Sequence, residues 1–259
     1  MQMFSVKVNG HAYGADLCVF DKDGLMFDSE QFWIEMANAR IRALSKRCSV
    51  EQVLAWAKLM SVRTEVKNGL VETVWVDPVG ILAVAPPAEE IIILAAFLVE
   101  KLGILWHEGR NLAAEMFEQS DADINLDRAL KPQPGYVALM KRINELGIHY
   151  GVATSDTVER TRDSMERYDC WKNVRFVVTS ADVPRGKPYP DMLQLISEKE
   201  NVPLDRIVMI GDSYVDVKMA NATGSIGIGV TTSPEMKEKM VGYATEIAES
   251  LEQIEFDRA

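Results

Sequence analysis

Little in this chain would serve a disulfide-bonded, membrane-spanning or nucleic-acid-binding protein. Its three cysteines, Cys18, Cys48 and Cys170, lie far apart and form no C-x-x-C pair. With no N-terminal apolar signal region either, a reduced, cytoplasmic protein without disulfides is expected. The three histidines, His11, His107 and His149, are isolated, which argues against a histidine-based zinc site. The most apolar run, Ile91 to Val99, is too short for a bilayer and is flanked by Glu89, Glu90, Glu100 and Lys101, so it reads as a core helix segment. Positive charge is also in short supply: Lys+Arg 28 against Asp+Glu 39 leaves a net charge of −11. Nucleic acid and anionic membrane surfaces recruit clustered lysine and arginine, so neither is expected as a partner. A small anionic substrate remains compatible, because it experiences only the local field, and a metal cation would reconcile it with acidic surroundings.

At 259 residues the chain has room for one large domain or two modest ones. Its organising stretch is Leu17-Cys18-Val19-Phe20-Asp21-Lys22-Asp23-Gly24-Leu25. Leu17 to Phe20 reads as a parallel strand buried on both faces. It ends in two carboxylates and a glycine, at the edge where open α/β sheets place their chemistry. Residues two apart in an extended chain point the same way, so Asp21 and Asp23 are expected to converge. Upstream, Asn9-Gly10 between Met3–Val8 and His11–Ala15 suggests a hairpin. Downstream, helical periodicity follows Asp28 (Trp33, Met36, Ala37, Ile41, Leu44), then from Ser49 (Val53, Trp56, Ala57, Met60), over Ala88–Leu102 and over His107–Gln119. Leu70 to Ala85, rich in valine but broken by Pro78 and Gly80, fits no element.

From Lys131 onward strands and helices alternate. A helix over Tyr136–Leu146 precedes strands at His149–Ala153, Val174–Val178, Ile207–Ile210 and Ile226–Val230. Helices are expected near 157–168, 191–200, 214–222, 234–240 and 247–254. The expected fold class is therefore α/β, a doubly wound, mostly parallel sheet with an inserted, mainly helical domain. The core is expected over 1–27 and 127–259, and the insert over 28–126.

Four polar segments then fall at one sheet edge. They are Asp21-Lys22-Asp23-Gly24, Thr154-Ser155-Asp156, Gly186-Lys187-Pro188 and Gly211-Asp212-Ser213 with Asp216. Asp156 (with Glu159) and Asp191 read as helix N-caps with structural roles. Asp21, Asp23, Asp212 and Asp216 would repel one another by several kcal/mol at ~4 Å and an effective dielectric near 20, so they need compensation. An oxygen-only donor set suits Mg²⁺, and Lys187 adds a second positive charge; together they suit a phosphoryl group.

The order of these four motifs resembles that of the haloacid dehalogenase superfamily, over residues 17–25 and about 130–256. The helical insert sits where phosphoglycolate phosphatase-like and β-phosphoglucomutase-like members carry a cap. The resemblance implies a Mg²⁺-dependent phosphoric monoester hydrolase acting on a small phosphorylated metabolite, as a monomer or small homo-oligomer. By position it implies Asp21 as nucleophile and Asp23 as general acid and base. Thr154, with the backbone N–H of Ser155, would hold the phosphoryl oxygens, and Lys187 would steady Asp21. Mg²⁺ would be held by Asp21, the backbone carbonyl of Asp23 and Asp212, with Asp216 binding through water or orienting that shell. Asp23 sets the chain apart from the dehalogenases proper, which lack it. Gly211 stands where phosphomutases of the β-phosphoglucomutase type usually carry glutamate, which leaves a mutase as the alternative. A non-catalytic phosphate-binding or receiver-like protein is the alternative of another class. The cap is expected to close over the site by hinging near Phe27-Asp28 and Asn125-Pro134. Four of the five tryptophans, Trp33, Trp56, Trp75 and Trp106, lie in it, and most of them are expected to pack its core. Arg40, Lys46, Arg47, Arg63 and Lys67 are its candidate anion-binding side chains.

Overall fold

A computed structural model describes residues 3–258. The chain opens with β1 (Phe4–Val8) and β2 (His11–Ala15), joined by Asn9 (φ 51°) and Gly10 (φ 82°), both left-handed as a two-residue hairpin turn requires. They form a three-stranded antiparallel sheet with the C-terminal strand, in the order β11-β1-β2, where β11 is Glu255–Arg258. The next strand, β3 (Leu17–Phe20), is buried at all four residues. The residues up to Asp28 form one compact unit with those from Pro132 onward, and Ser29–Lys131 form a second.

The second unit contains α1 (Ser29–Ser45), α2 (Val50–Leu59), β4 (Val62–Lys67), β5 (Leu70–Val76), α3 (Ile81–Val84), α4 (Pro87–Leu102), α5 (Trp106–Ala122) and α6 (Leu126–Ala129). Ser49 caps α2 through a reciprocal pair with Gln52, and α4 starts at Pro87 and stops at left-handed Gly103. The antiparallel β4–β5 pair resolves the segment that periodicity left unread. Its turn is Asn68-Gly69, both at positive φ, which repeats the signal at Asn9-Gly10. Strand β5 lies against α1, so Val71, Thr73 and Val76 are buried while Leu70, Glu72 and Val74 face outward. Trp56 is fully buried, whereas Trp106, at the first position of α5, is about half exposed. Arg40 is no surface anion binder. It is 2% exposed, pairs with Glu90 (2.7 Å) and Asp121 (2.7 Å), and lies over the Phe117 ring. Arg63 likewise stacks on Trp75.

The first unit resumes with α7 (Tyr136–Glu145), β6 (Tyr150–Thr154), α8 (Val158–Glu166), β7 (Val174–Thr179), α9 (Asp191–Glu200), β8 (Ile207–Gly211), α10 (Tyr214–Thr223), β9 (Ile226–Val230), α11 (Pro234–Met240) and β10 (Glu246–Ala248). Six parallel strands run in the order β10-β9-β8-β3-β6-β7. The helix expected near 247–254 is absent. Its start is the three-residue strand β10, which pairs with β9, and its end is a 3₁₀ turn leading into β11. Sheet pairing there overrides local helix propensity.

Strand β3 sits at the centre, between β8 and β6. Leu17 and Val19 on one face pack with Met192, Leu193 and Ile196 of α9 and with Met219 and Ala220 of α10. Phe20, pointing the other way, meets Tyr150 edge-on at 5.6 Å and Phe256 of the antiparallel sheet at 6.4 Å. Each such fully buried apolar side chain contributes roughly 1.5–3 kcal/mol relative to exposure. Burial on both faces also fixes the register, because a one-residue slip would exchange the two sets. Among the described residues no helix is long and apolar enough to cross a membrane. The three cysteines are free thiols.

Candidate active site

The parallel register sets the polar segments at one edge. Phe20 pairs with Val152 and Ile210, and Thr154 with Thr179, so β3, β6, β7 and β8 all end on the same side. The Asp21 N–H donates to the Ile210 carbonyl (2.9 Å), which extends the ladder by one residue before the chain turns away. The turn is tight: Met26 N–H returns to the Lys22 carbonyl (2.9 Å), and Gly24 N–H to that of Phe27 (2.9 Å). Gln133 Nε2 donates to the Gly24 carbonyl at 2.9 Å.

Asp21, Asp212 and Asp216 come together, each offering a carboxylate oxygen within 4.8 Å of the others. Lys187 joins them from the loop before α9. Its Nζ lies 2.6 Å from Asp21 Oδ1 and 2.6 Å from Asp216 Oδ1, with its side chain 5% exposed. Burial would lower the Lys187 ammonium, but Asp21 and Asp216 outweigh it and hold the pKa above the usual lysine range. Burial, then repulsion from Asp216, raises Asp21 despite Lys187. Burial with repulsion from Asp21 and Asp216 pushes Asp212 well above the ordinary carboxylate range. Among the described residues, one ammonium thus answers three carboxylates at this cluster. A hard divalent cation with oxygen ligands fits this donor set, and the raised carboxylates mark the charge it would supply.

Asp23 does not join that cluster. Strand β3 ends at Phe20, and the turn at left-handed Gly24 (φ +90°) breaks the alternation that would have aligned Asp23 with Asp21. The Asp23 carboxylate lies instead 2.9 Å from Lys22 Nζ, with its side chain 26% exposed. Its pKa is raised to about 6, by burial first and then by Asp156 and Asp21, against the lowering effect of Lys22.

Thr154 ends β6 and is buried, and its Oγ1 accepts from the Asp156 N–H at 3.0 Å. Ser155 beside it is exposed. Asp156 is not the cap of α8. Thr157 holds that position, with its Oγ1 accepting from Arg160 N–H. Asp156 is buried and pairs with Lys22 (2.5 Å) and with Arg160 (2.5 Å). Burial would raise it, but Lys22 and Arg160 hold its carboxyl below the usual range. Nor is Asp191 an N-cap: Pro190 takes that place, and Asp191 pairs with Arg185 at 2.9 Å. Asp216 accepts from the Ser213 N–H at 3.2 Å, which couples the start of α10 to the carboxylate cluster.

Sequence reasoning missed Lys22 and Asp156 as members of the site. The available signal was a lysine confined between two aspartates at the mouth of an otherwise apolar strand. Two glycines admit the cluster. A Cβ on Gly24 would lie 2.0 Å from Asp212 Oδ2, and one on Gly211 would lie 2.3 Å from Asp216 Cγ. Gly24→Ala is therefore expected to displace Asp212. Activity should fall about 100-fold, as for a misplacement of about 1 Å, and thermal melts should register a loss of more than about 1 kcal/mol from the left-handed backbone alone. Unchanged activity and melting would contradict this packing.

Comparison with known proteins bears on the family and the fold. A family model described as haloacid dehalogenase-like hydrolase matches residues 15–224. The phosphoglycolate phosphatase of Escherichia coli K12 is 29% identical over 85 residues, 33% of this chain and 34% of that protein. The chain therefore spans about a third of the length of that curated relative. A crystal structure described as a predicted phosphoglycolate phosphatase, from Haemophilus somnus, superposes with a TM-score of 0.62 at 15% identity, covering 92% of this chain and 95% of that one. CbbY from Rhodobacter sphaeroides, solved in complex with phosphate, gives a TM-score of 0.56 at 16% identity over 92% and 95% of the two chains. At these identities the two structures speak for the fold.

Proposed function

The chain belongs to the haloacid dehalogenase-like hydrolases, and from that premise we propose that it is a Mg²⁺-dependent phosphatase of a small phosphorylated metabolite. The observation that carries this reading is the Asp21–Lys187–Asp216 bridge beside Asp212. It supplies a nucleophile, a fixed positive charge and an oxygen donor set at one strand end.

An Asp21 carboxylate oxygen attacks phosphorus, and the bond from phosphorus to the leaving oxygen breaks. The proton on Asp23 passes to that leaving oxygen. Asp23, now a carboxylate, takes a proton from water as the water attacks the aspartyl-phosphate. This breaks the bond between Asp21 and phosphorus, releases inorganic phosphate and restores both aspartates. Asp23 suits both steps because its pKa near 6 keeps each protonation state accessible close to neutrality. Lys187 holds Asp21 in place, and Thr154 with the Ser155 backbone N–H would receive the phosphoryl oxygens. Asp21, Asp212 and the Asp23 carbonyl would hold Mg²⁺, with Asp216 orienting that shell; the cation supplies charge neutralisation for the transferring group.

A phosphatase is favoured over a phosphomutase by Gly211. A side chain at that position would collide with Asp216. The test is phosphate release from p-nitrophenyl phosphate with Mg²⁺, after chelation, and after Mg²⁺ is restored, followed by a panel of phosphorylated metabolites. Hydrolysis should be lost on chelation and return with the metal. Undiminished turnover in excess chelator would overturn the metal assignment, and no turnover at saturating Mg²⁺ on any substrate would overturn the phosphatase reading.

A further inference from the structure

Lys22 is completely buried, and its ammonium reaches Asp23 Oδ1 at 2.9 Å and Asp156 Oδ2 at 2.5 Å. The Asp156 carboxylate is itself fixed. Its Oδ1 accepts from Arg160 Nε (2.6 Å) and from the Thr157 N–H (2.8 Å). Its own N–H donates to Thr154 Oγ1 at 3.0 Å. A chain of charge-assisted contacts thus runs from α8 through Asp156 and Lys22 to one oxygen of Asp23. The Asp23 side chain stays about a quarter exposed, open to a reacting group.

Burying the ionised Lys22 and Asp156 beside the partly exposed Asp23 and Arg160 is expensive, and a wholly apolar set in their place would cost the fold less. The expense is intelligible if the cluster fixes an orientation. A carboxylate at the mouth of a strand turns freely about χ2 unless one oxygen is tied, and the tie here is a lysine whose other partner is locked to a helix.

We propose that Lys22, held by Asp156, is a positioning residue that orients the Asp23 carboxyl toward the leaving oxygen; this rests on the phosphatase reading above. Lys22 touches neither substrate nor phosphorus in this scheme. Its effect is felt in both proton transfers of Asp23, to the leaving oxygen and from the attacking water, and only the first depends on the leaving group.

The test compares an alkyl phosphate, whose alkoxide must be protonated to leave, with p-nitrophenyl phosphate, whose phenolate leaves without help. In a single turnover, read as alcohol release before water attacks the aspartyl-phosphate, Lys22→Met should lose about 100-fold on the alkyl ester, the size of a general-acid contribution. Phenolate release in a single turnover on the aryl ester should fall no more than about threefold, and that first-turnover release also certifies the fold. In an Asp23→Asn background the same substitution should add no further selectivity between the two esters. Should Lys22→Met fail to fold, Asp156→Asn, which loosens Lys22 but keeps it beside Asp23, should show the same selectivity to a smaller degree. Equal losses of first-turnover release on both esters, or none on either, would overturn the assignment while leaving the phosphatase reading intact. A wild-type protein inactive on both esters would overturn that reading and the inference with it.

Discussion

Asp21→Asn is expected to lose at least about 10⁴-fold in phosphate release, the scale on which removing an enzymatic nucleophile acts. The substitution preserves shape and removes only the anionic oxygen that would attack phosphorus. Lys187 would keep Asp216 as a partner, so the site should not collapse. Stability should move the other way. Burial and Asp216 raise the Asp21 pKa above its ordinary value. A carboxyl so raised contributes stability below its unfolded pKa, and that contribution is lost as pH rises from about 4 through the folded value. Asp212 is raised by the same causes and adds to this slope. In chelator, then, the melting temperature of the wild-type protein relative to Asp21→Asn should fall as pH rises from about 4 toward neutrality. Asp21→Asn should flatten the slope and melt higher than wild type near pH 7, while gaining less from added Mg²⁺. Full activity in this variant would sink the proposed chemistry, and an unchanged melting profile would sink the electrostatic account of the cluster.

Lys187→Ala should damage both activity and stability. The ammonium is 5% exposed and bridges Asp21 and Asp216, whose side chains are 12% and 1% exposed. Without it, two buried carboxylates lose the cation they share. Removing one member of such a buried set costs about 3–5 kcal/mol. For a chain of this size that is roughly 10 °C in the melting midpoint of the unit containing it. Activity should fall by about 10³-fold, because a preorganised charge next to the transferred group is lost. Added Mg²⁺ should recover part of the stability, since it also neutralises the cluster, but little of the activity. Lys239→Ala provides the contrast. That lysine pairs with Glu235 on an exposed helix face, where ion pairs contribute little. Equal melting shifts for the two variants would refute the special standing of Lys187.

The contrast between Asp21 and Asp156 shows how far residue order alone reaches. Asp21 is legible because it ends a four-residue apolar run, a length that suits a strand buried on both faces and not a helix. Asp156 carries the same side chain two residues beyond the end of another strand, yet its neighbours Thr157 and Glu159 offered an ordinary helix start. Only the packing of Lys22 against it gives it a different role. The Asn68-Gly69 hairpin was missed for a related reason. Its β5 strand was merged with Pro78 and Gly80, which punctuate the segment beyond it, although the turn dipeptide is the one that marks β1 and β2. The stretch near 247–254 failed in the opposite direction. Its apolar spacing suits a helix, but β9 offers an unpaired edge that captures residues 246–248 as a strand.

By itself the sequence determined the alternation of strands and helices and the motif order that brings Asp21, Thr154, Lys187 and Asp212 to one sheet edge. These follow from local periodicity and from the rule that parallel strands present their C-terminal ends together. The tertiary structure alone decided which charges pair. Lys187 goes to Asp21 and Asp216, while Lys22 goes to Asp23 and Asp156. Ion pairing acts through space over a few ångströms, between residues up to 166 positions apart, and no spacing along the chain encodes that distance.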